Sequence, residues 1–210
     1  EYYEYRKNDL VRFEIMKRFG YYVTESSEHL AEYLPYFIKS SHPELIERFR
    51  IPLDEYPRRC IRQNEQWKKQ RDALVNNPKL EHRRTNEYAA HIIESFVTNR
   101  PFKFGGNVLN TGLITNLPQK ACVEVSCVSD ASGIHPVFFG ELPEQLAALN
   151  RTNINPQLLT IQAALTRSKE TVYQAALLDP HTSAELTIDQ IVALCDDLFE
   201  AHADWLPAYS

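Results

Sequence analysis

The fold is decided by residues 102–140, FKFGGNVLNTGLITNLPQKACVEVSCVSDASGIHPVFFG, where the apolar period changes from the helical three-to-four to two. The runs FKF, VLN, LIT, CVEVSCV and IHPVFFG are short and rich in branched and aromatic residues. Gly105-Gly106, Asn110-Thr111-Gly112, Leu117-Pro118 and Ala131-Ser132-Gly133 punctuate them, which predicts an antiparallel meander. Asn107, Asn110, Thr115 and Asn116 suit tight turns whatever the function. Cys122 and Cys127 lie five apart, so a continuous strand would turn them to opposite faces and deny them a shared zinc ion.

The sequence on either side of this sheet reads as helix. Upstream, Leu10, Phe13, Ile15, Met16 and Phe19 form a helical stripe that Gly20 stops. A short helix is expected over 43–49, a Pro-marked loop through Pro52 and Pro57, and an exposed helix over 58–75. Interleaved charge makes that last helix a solvated excursion, with an oligomer contact or a substrate rim as its other uses. Residues 80–99 predict a helix whose face carries Tyr88, Ala89, Ile92, Ile93, Phe96 and Val97, with His91 beside it as a core neighbour. Downstream, helices are expected over 143–166 and 169–178, then a last helix capped by Thr187 and running to His202, with Trp205, Leu206 and Pro207 docking as a tail. The organisation is one α+β domain over 1–210, helical over 1–100, sheet over 101–140 and helical over 141–210.

Composition narrows the function classes. A chain of 210 residues with 43% hydrophobic content can bury one good core or two small ones. The net charge of −5, from 23 basic and 28 acidic residues, gives no field that draws nucleic acid. No apolar run reaches the ~20 residues of a membrane helix, and the charged, aromatic first residues do not read as a signal peptide, so a cytoplasmic location is expected. Cys60, Cys122, Cys127 and Cys195 have no C-x-x-C spacing and read as free thiols. The dinucleotide spacing G-x-G-x-x-G is absent, and with it a Rossmann domain.

The chemistry concentrates in residues 21–37, YYVTESSEHLAEYLPYF. Short hydroxyl and acidic side chains at 24–27 predict a turn with Ser27 as the N-cap, a helix from Glu28, and a kink or an end at Pro35. His29, Glu32 and Tyr33, three and four apart, share a face. The same residues also suit a capped helix start with a half-buried histidine and wet tyrosines, and the His-x-x-Glu pair supplies two metal ligands without a third.

Five blocks then carry a resemblance: FGYYVTESSEHLAEYLPYF, NEYAAHIIES, GNVLNTGLITNLPQKACVEVSCV, HPVFFGELPEQLAALNRTNI and AALLDPHTSAELTIDQIVALCDDLFEAH. In this order they resemble the C-terminal half of family-four glycoside hydrolases, in particular the α-galactosidases among members that include α-glucosidases, α-galacturonidases and 6-phosphoglycosidases. The resemblance implies a lactate/malate dehydrogenase-like C-terminal domain, whose missing N-terminal dinucleotide-binding domain lies upstream, in a homo-oligomeric enzyme. In that family NAD oxidises the sugar's C3 hydroxyl, a divalent manganese holds the C2 and C3 oxygens, a base takes the C2 proton, the aglycone leaves, and water adds back. The family's Gly-rich loop and metal-binding cysteine and histidine precede anything present here, so none of the four cysteines inherits a ligand role. The isolated chain is accordingly expected to be inactive and to bind neither NAD nor Mn2+ completely.

The resemblance also implies that TESSEH holds the C2 base, at a position near Ser27. An unassisted serine is a poor base, which leaves either Glu28, His29 or Tyr33 to take the proton in its place or Ser27 to orient a water. No basic cluster flanks the turn, so a neutral α-galactoside is the expected substrate. The alternatives are a non-catalytic dehydrogenase-like module for oligomerisation or binding, and a related α-glucosidase or α-galacturonidase.

Overall fold

A computed structural model describes residues 8–77, 79, 83 and 85–210. Helices α1 (Leu10–Phe19), α2 (Ser27–Tyr33), α3 (Glu44–Phe49), α4 (Glu55–Val75) and α5 (Ala89–Thr98) precede strands β1 (Phe102–Leu109), β2 (Cys122–Asp130) and β3 (Gly133–Pro136). Helices α6 (Glu144–Thr166), α7 (Lys169–Leu177), α8 (Thr182–Glu185) and α9 (Ile188–Ala201) follow. The strands form one antiparallel sheet in the order β1-β2-β3, an α+β architecture with no Rossmann unit among the described residues.

Two apolar clusters hold it together, because α1, α2 and the sheet each have one oily face to hide. Val11, Ile15, Leu30, Ala31, Leu34, Phe37 and Ile51 join α1 to α2 and the segment after it. Val123, Val125 and Cys127 turn inward from β2 onto Ala147 and Ile154 of α6. Leu149 of α6 also packs against the first cluster, so this helix ties the sheet to the N-terminal helices. The alternation on β2 leaves Cys122 exposed and Cys127 buried, as their spacing requires.

The connection from β1 to β2 is organised by Asn110, which is fully buried. Its amide donates to the carbonyls of Ile114, Leu117 and Pro118 at 2.9, 3.1 and 3.1 Å, and its oxygen accepts from Ile114 N at 2.8 Å. Asn116 clamps Leu142 through both backbone groups, at 2.8 and 3.0 Å, and so fixes the entry to α6.

Several expectations are corrected. Gly105-Gly106 is not a turn but the middle of β1, opposite Ser126 and Val125. A Cβ at Gly105 would meet Glu124 Oε1 at 2.9 Å and one at Gly106 would meet Cys127 Sγ at 2.9 Å, so the glycines make room for side chains from β2. LIT forms one isolated bridge, Ile114 to Gly140, and β3 ends at Pro136. Pro57 lies in the first turn of α4, where the missing donor has no partner to lose. The helix expected over 80–99 begins at Ala89; residues 80–82 and 84 lie outside the described set. Its apolar face is not core: Ile93 is 62% and Val97 80% exposed, and α5 meets the sheet through Ser95, whose hydroxyl donates to Ser129 Oγ at 2.7 Å. Trp205, 87% exposed, does not dock the tail, which is held instead by Ser210 pairing with Arg167 and Lys169, and by Tyr209 against Phe199.

Candidate functional site

The turn before α2 is set by two serines with different tasks. Ser26, in an extended conformation, is the N-cap and accepts from His29 N at 3.3 Å; the expected cap, Ser27, is the first helical residue. Ser27 is drawn inward because its hydroxyl donates to Asp9 Oδ1 at 2.9 Å and accepts from Arg12 N at 3.3 Å. Asp9 is itself buried and also receives Arg12 Nε and Tyr22 Oη. Burial pushes the Asp9 carboxyl up, but the hydrogen bonds from Arg12, Tyr22 and Ser27 together outweigh it and hold the group below the usual carboxylate range. The N-termini of α1 and α2 are thereby sewn together at one ionised carboxylate. Leu34 is extended ahead of Pro35, which ends the helix where the sequence requires.

Outside this anchor, Glu28, His29 and Glu32 line a cleft of about 240 Å³ whose other wall is Pro52 to Pro57 and Arg59. Arg59 stands 3.9 Å from the Glu28 carboxylate. His29 Nδ1 lies 3.1 Å from Glu25 Oε1, which also accepts from Ser26 N at 2.7 Å. The Ser26 amide, with His29 behind it, holds the Glu25 carboxyl below its ordinary value. The His29 ring is thus held at Nδ1 by an ionised acid, and the residue lines the cleft.

The four expected site residues therefore separate. Glu28 and His29 come together on the cleft, with Glu32 completing the wall. Ser27 lies beneath them, 8% exposed, and borders a neighbouring hollow with Glu28, Asn8 and residues 49–52. Tyr33, its ring 6.2 Å from that of His29, borders a third hollow of about 300 Å³ against Leu146, Leu149, Asn150 and Asn153 of α6. Asp9, Arg12 and Arg59 were not singled out from the sequence. Asp9 stands directly before a helix as a capping acid would, but its bond to a residue 18 positions away has no local signature.

Among the described residues no three His, Cys, Asp or Glu side chains are grouped to hold a metal ion, and no helix is long and apolar enough to cross a membrane.

The cleft thus stands on the N-terminal helices of an α+β domain that has no Rossmann unit among the described residues. Residues 1–182 match the Family 4 glycosyl hydrolase C-terminal domain, and the chain belongs to that family. It is 68% identical over 204 residues to an alpha-galactosidase of Bacillus subtilis, covering 97% of this chain and 47% of the relative. An alpha-galactosidase of Rhizobium meliloti is 33% identical over 217 residues, covering 98% of this chain and 44% of the relative. The chain thus spans about half the length of the curated relatives it matches. The fold is shared with a Bacillus subtilis structure named as a glucosidase (TM-score 0.77, 23% identity, 90% of this chain and 42% of that one). It is shared also with a 6-phospho-alpha-glucosidase from gut microorganisms solved with NAD and Mn2+ (TM-score 0.69, 16% identity, 95% and 44%).

Proposed function

We propose that this chain is the substrate-side half of an α-galactosidase, in which NAD and Mn2+ are held by polypeptide outside the 210 residues. The observation that carries the reading is the 68% identity to the Bacillus subtilis alpha-galactosidase over 97% of this chain. An NAD- and Mn2+-containing structure of the same fold, only 44% covered, supports a cofactor half elsewhere.

Within that reading the residues of this chain have distinct tasks. Asp9, Arg12 and Tyr22 fix α2, so that Glu28 and His29 present to the cleft a carboxylate and an imidazole, the two kinds of group suited to general-base work. Ser27, whose proton is donated to Asp9, positions the helix and does not take a proton from substrate. Tyr33 stands on the α6 side and is the weakest of the four for that task. The carboxylates of Glu28, Glu32 and Asp54 on the cleft favour a neutral galactoside over a phosphorylated or uronic sugar, because a second anion there would be repelled.

The test is a p-nitrophenyl α-galactoside assay of the full-length protein with NAD, Mn2+ and a thiol reductant, alongside this chain alone. Turnover by the former and none by the latter is expected. Hydrolysis by the isolated 210 residues, or preference for an α-glucoside or α-galacturonide, would overturn the reading. Glu28→Gln and His29→Asn, each followed by exchange of the sugar's C2 hydrogen with solvent, then separate the base from Ser27→Ala, which retains exchange.

A further inference from the structure

The face of α6 turned toward α1 and α2 changes character along its length. Leu146 and Leu149 make it apolar beside Ile15, as a packing helix requires. Asn150, Asn153 and Gln157 then follow at spacings of three and four, so the same side of the helix continues in amides. Between these amides and Tyr33 lies the hollow of about 300 Å³, and small-molecule sites run from roughly 300 to 1,000 Å³. The hollow therefore has room for a single small ring.

The amides retain hydrogen-bonding capacity. Asn153 Nδ2 donates to Tyr33 O and to Thr152 Oγ1, both at 3.3 Å, and Asn150 Nδ2 donates to Leu146 O at 2.9 Å. Among the described residues their two amide oxygens accept nothing, and the Gln157 amide makes no hydrogen bond at all. Each unused group is uncharged, and together they both donate and accept, as the hydroxyls of a neutral sugar do. A segment of polypeptide seated here would be met by carbon side chains instead, as Leu146 and Leu149 meet Ile15. Tyr33, 46% exposed, adds an aromatic face with a polar tip.

The hollow lies beside the cleft. Glu25, His29 and Tyr33 stand four apart and form one row of side chains at α2. Glu25 and Tyr33 border the hollow, whereas His29 borders the cleft. The row is closed within itself by the 3.1 Å contact of His29 Nδ1 with Glu25 and by the 6.2 Å approach of the His29 and Tyr33 rings. One crest of side chains thus divides two spaces, each of the size of one ring.

We propose that this hollow is the subsite for the aglycone sugar: a neutral hexose ring lies on Tyr33 with its hydroxyls on Asn150, Asn153 and Gln157, the galactosyl ring occupies the cleft, and the bond between them crosses His29. The inference rests on the α-galactosidase reading above and extends it to the leaving group. It does not depend on which residue takes a proton, since the amides act in binding alone.

The experiment compares two substrates of the full-length protein with NAD, Mn2+ and a thiol reductant. One is 6-O-α-galactosyl-glucose, and the other is p-nitrophenyl α-galactoside, whose aglycone has a ring but no hydroxyls. In N150L/Q157L the kcat/KM for the disaccharide should fall about tenfold relative to that for the aryl galactoside, through KM, as expected for the loss of two or so neutral hydrogen bonds. Tyr33→Ala should raise KM for both substrates, because its ring carries either aglycone, and Tyr33→Phe should raise it for neither. A protein that cleaves neither galactoside defeats the α-galactosidase reading and this inference with it. One that cleaves both, with the ratio unmoved in N150L/Q157L, overturns this inference alone. So does an equal fall for both substrates accompanied by unfolding at lower urea, which would make the amides structural.

Discussion

Asn110 is the residue on which most local structure depends, and its environment is asymmetric in a way that can be tested. Three carbonyls converge on its amide nitrogen and one N–H on its oxygen, all out of water. Asn110→Ala leaves Ile114 N and Leu117 O without their partner, while the carbonyls of Ile114 and Pro118 keep the amides of Leu117 and Ala121, and should cost about 3 kcal/mol, the upper part of the usual range for buried unsatisfied groups. Asn110→Asp keeps the shape but sets a carboxylate oxygen against three carbonyl oxygens, and it should cost more than the alanine. Urea unfolding of the isolated chain decides the order; an aspartate variant as stable as the wild type would mean that the amide assignment is wrong. The sequence marked Asn110 as a turn former and could not do better, because the carbonyls that it collects come four to eight residues later. Ser26 and Ser27 show the same limit on a smaller scale. Either hydroxyl suits a helix start, and which one caps is settled by Asp9, which claims Ser27 from a different helix.

Elements were legible where their ends are written locally. Gly20, in the left-handed conformation at φ 86°, stops α1. Thr187 and Gln190 form the reciprocal cap of α9. Gly105-Gly106 misled because a strand interior and a turn both tolerate glycine, and only the side chains of Glu124 and Cys127 across the ladder distinguish them. Connections between distant elements were equally invisible, and the clearest is the grip of α8 on the loop that follows α2. Glu185 accepts from Ser40 N at 2.8 Å, Ser40 Oγ at 2.6 Å and Lys39 Nζ at 3.2 Å. The Ser40 hydroxyl and amide, then Lys39, pull the Glu185 carboxyl down to about 2. A carboxylate with a depressed folded value stabilises the fold above its ordinary value and loses that contribution as pH falls toward the folded one. Glu185→Gln should therefore be less stable than wild type at pH ~7, and the gap should narrow between pH ~4.5 and ~2. Thermal midpoints of both proteins across that range provide the check, and a gap that is independent of pH would remove the charge from the explanation.

Over the whole molecule, the inward face of β2 followed from periodicity, whereas the exposure of α5 did not, and on α1 the fully buried Val11 lies outside the expected stripe while Met16 within it is 39% exposed. Period identifies which residues form an apolar face, but it does not say whether anything within the same 210 residues covers that face. Tyr88, Ile93, Phe96 and Val97 illustrate the gap: their spacing is that of a core stripe, and they are between 40 and 80% exposed. Leu165, at the end of α6, is 81% exposed. Tyr88 stacks on Phe104, but Val97 and Leu165 are 80 and 81% exposed, so replacing those two should scarcely change the chain's stability. Val97→Lys and Leu165→Lys should each shift the unfolding free energy by no more than ~0.5 kcal/mol, the range of ordinary surface changes. At Val97 the straight-chain lysine is also the better helix former. The double variant should bind less of a hydrophobic dye such as anilinonaphthalene sulfonate and stay dispersed at higher concentration, while its urea midpoint stays within error of the parent. A marked loss of stability in either single variant would mean that the face is covered within the isolated chain after all, and the stripe on α5 would then return to the core where its spacing first placed it.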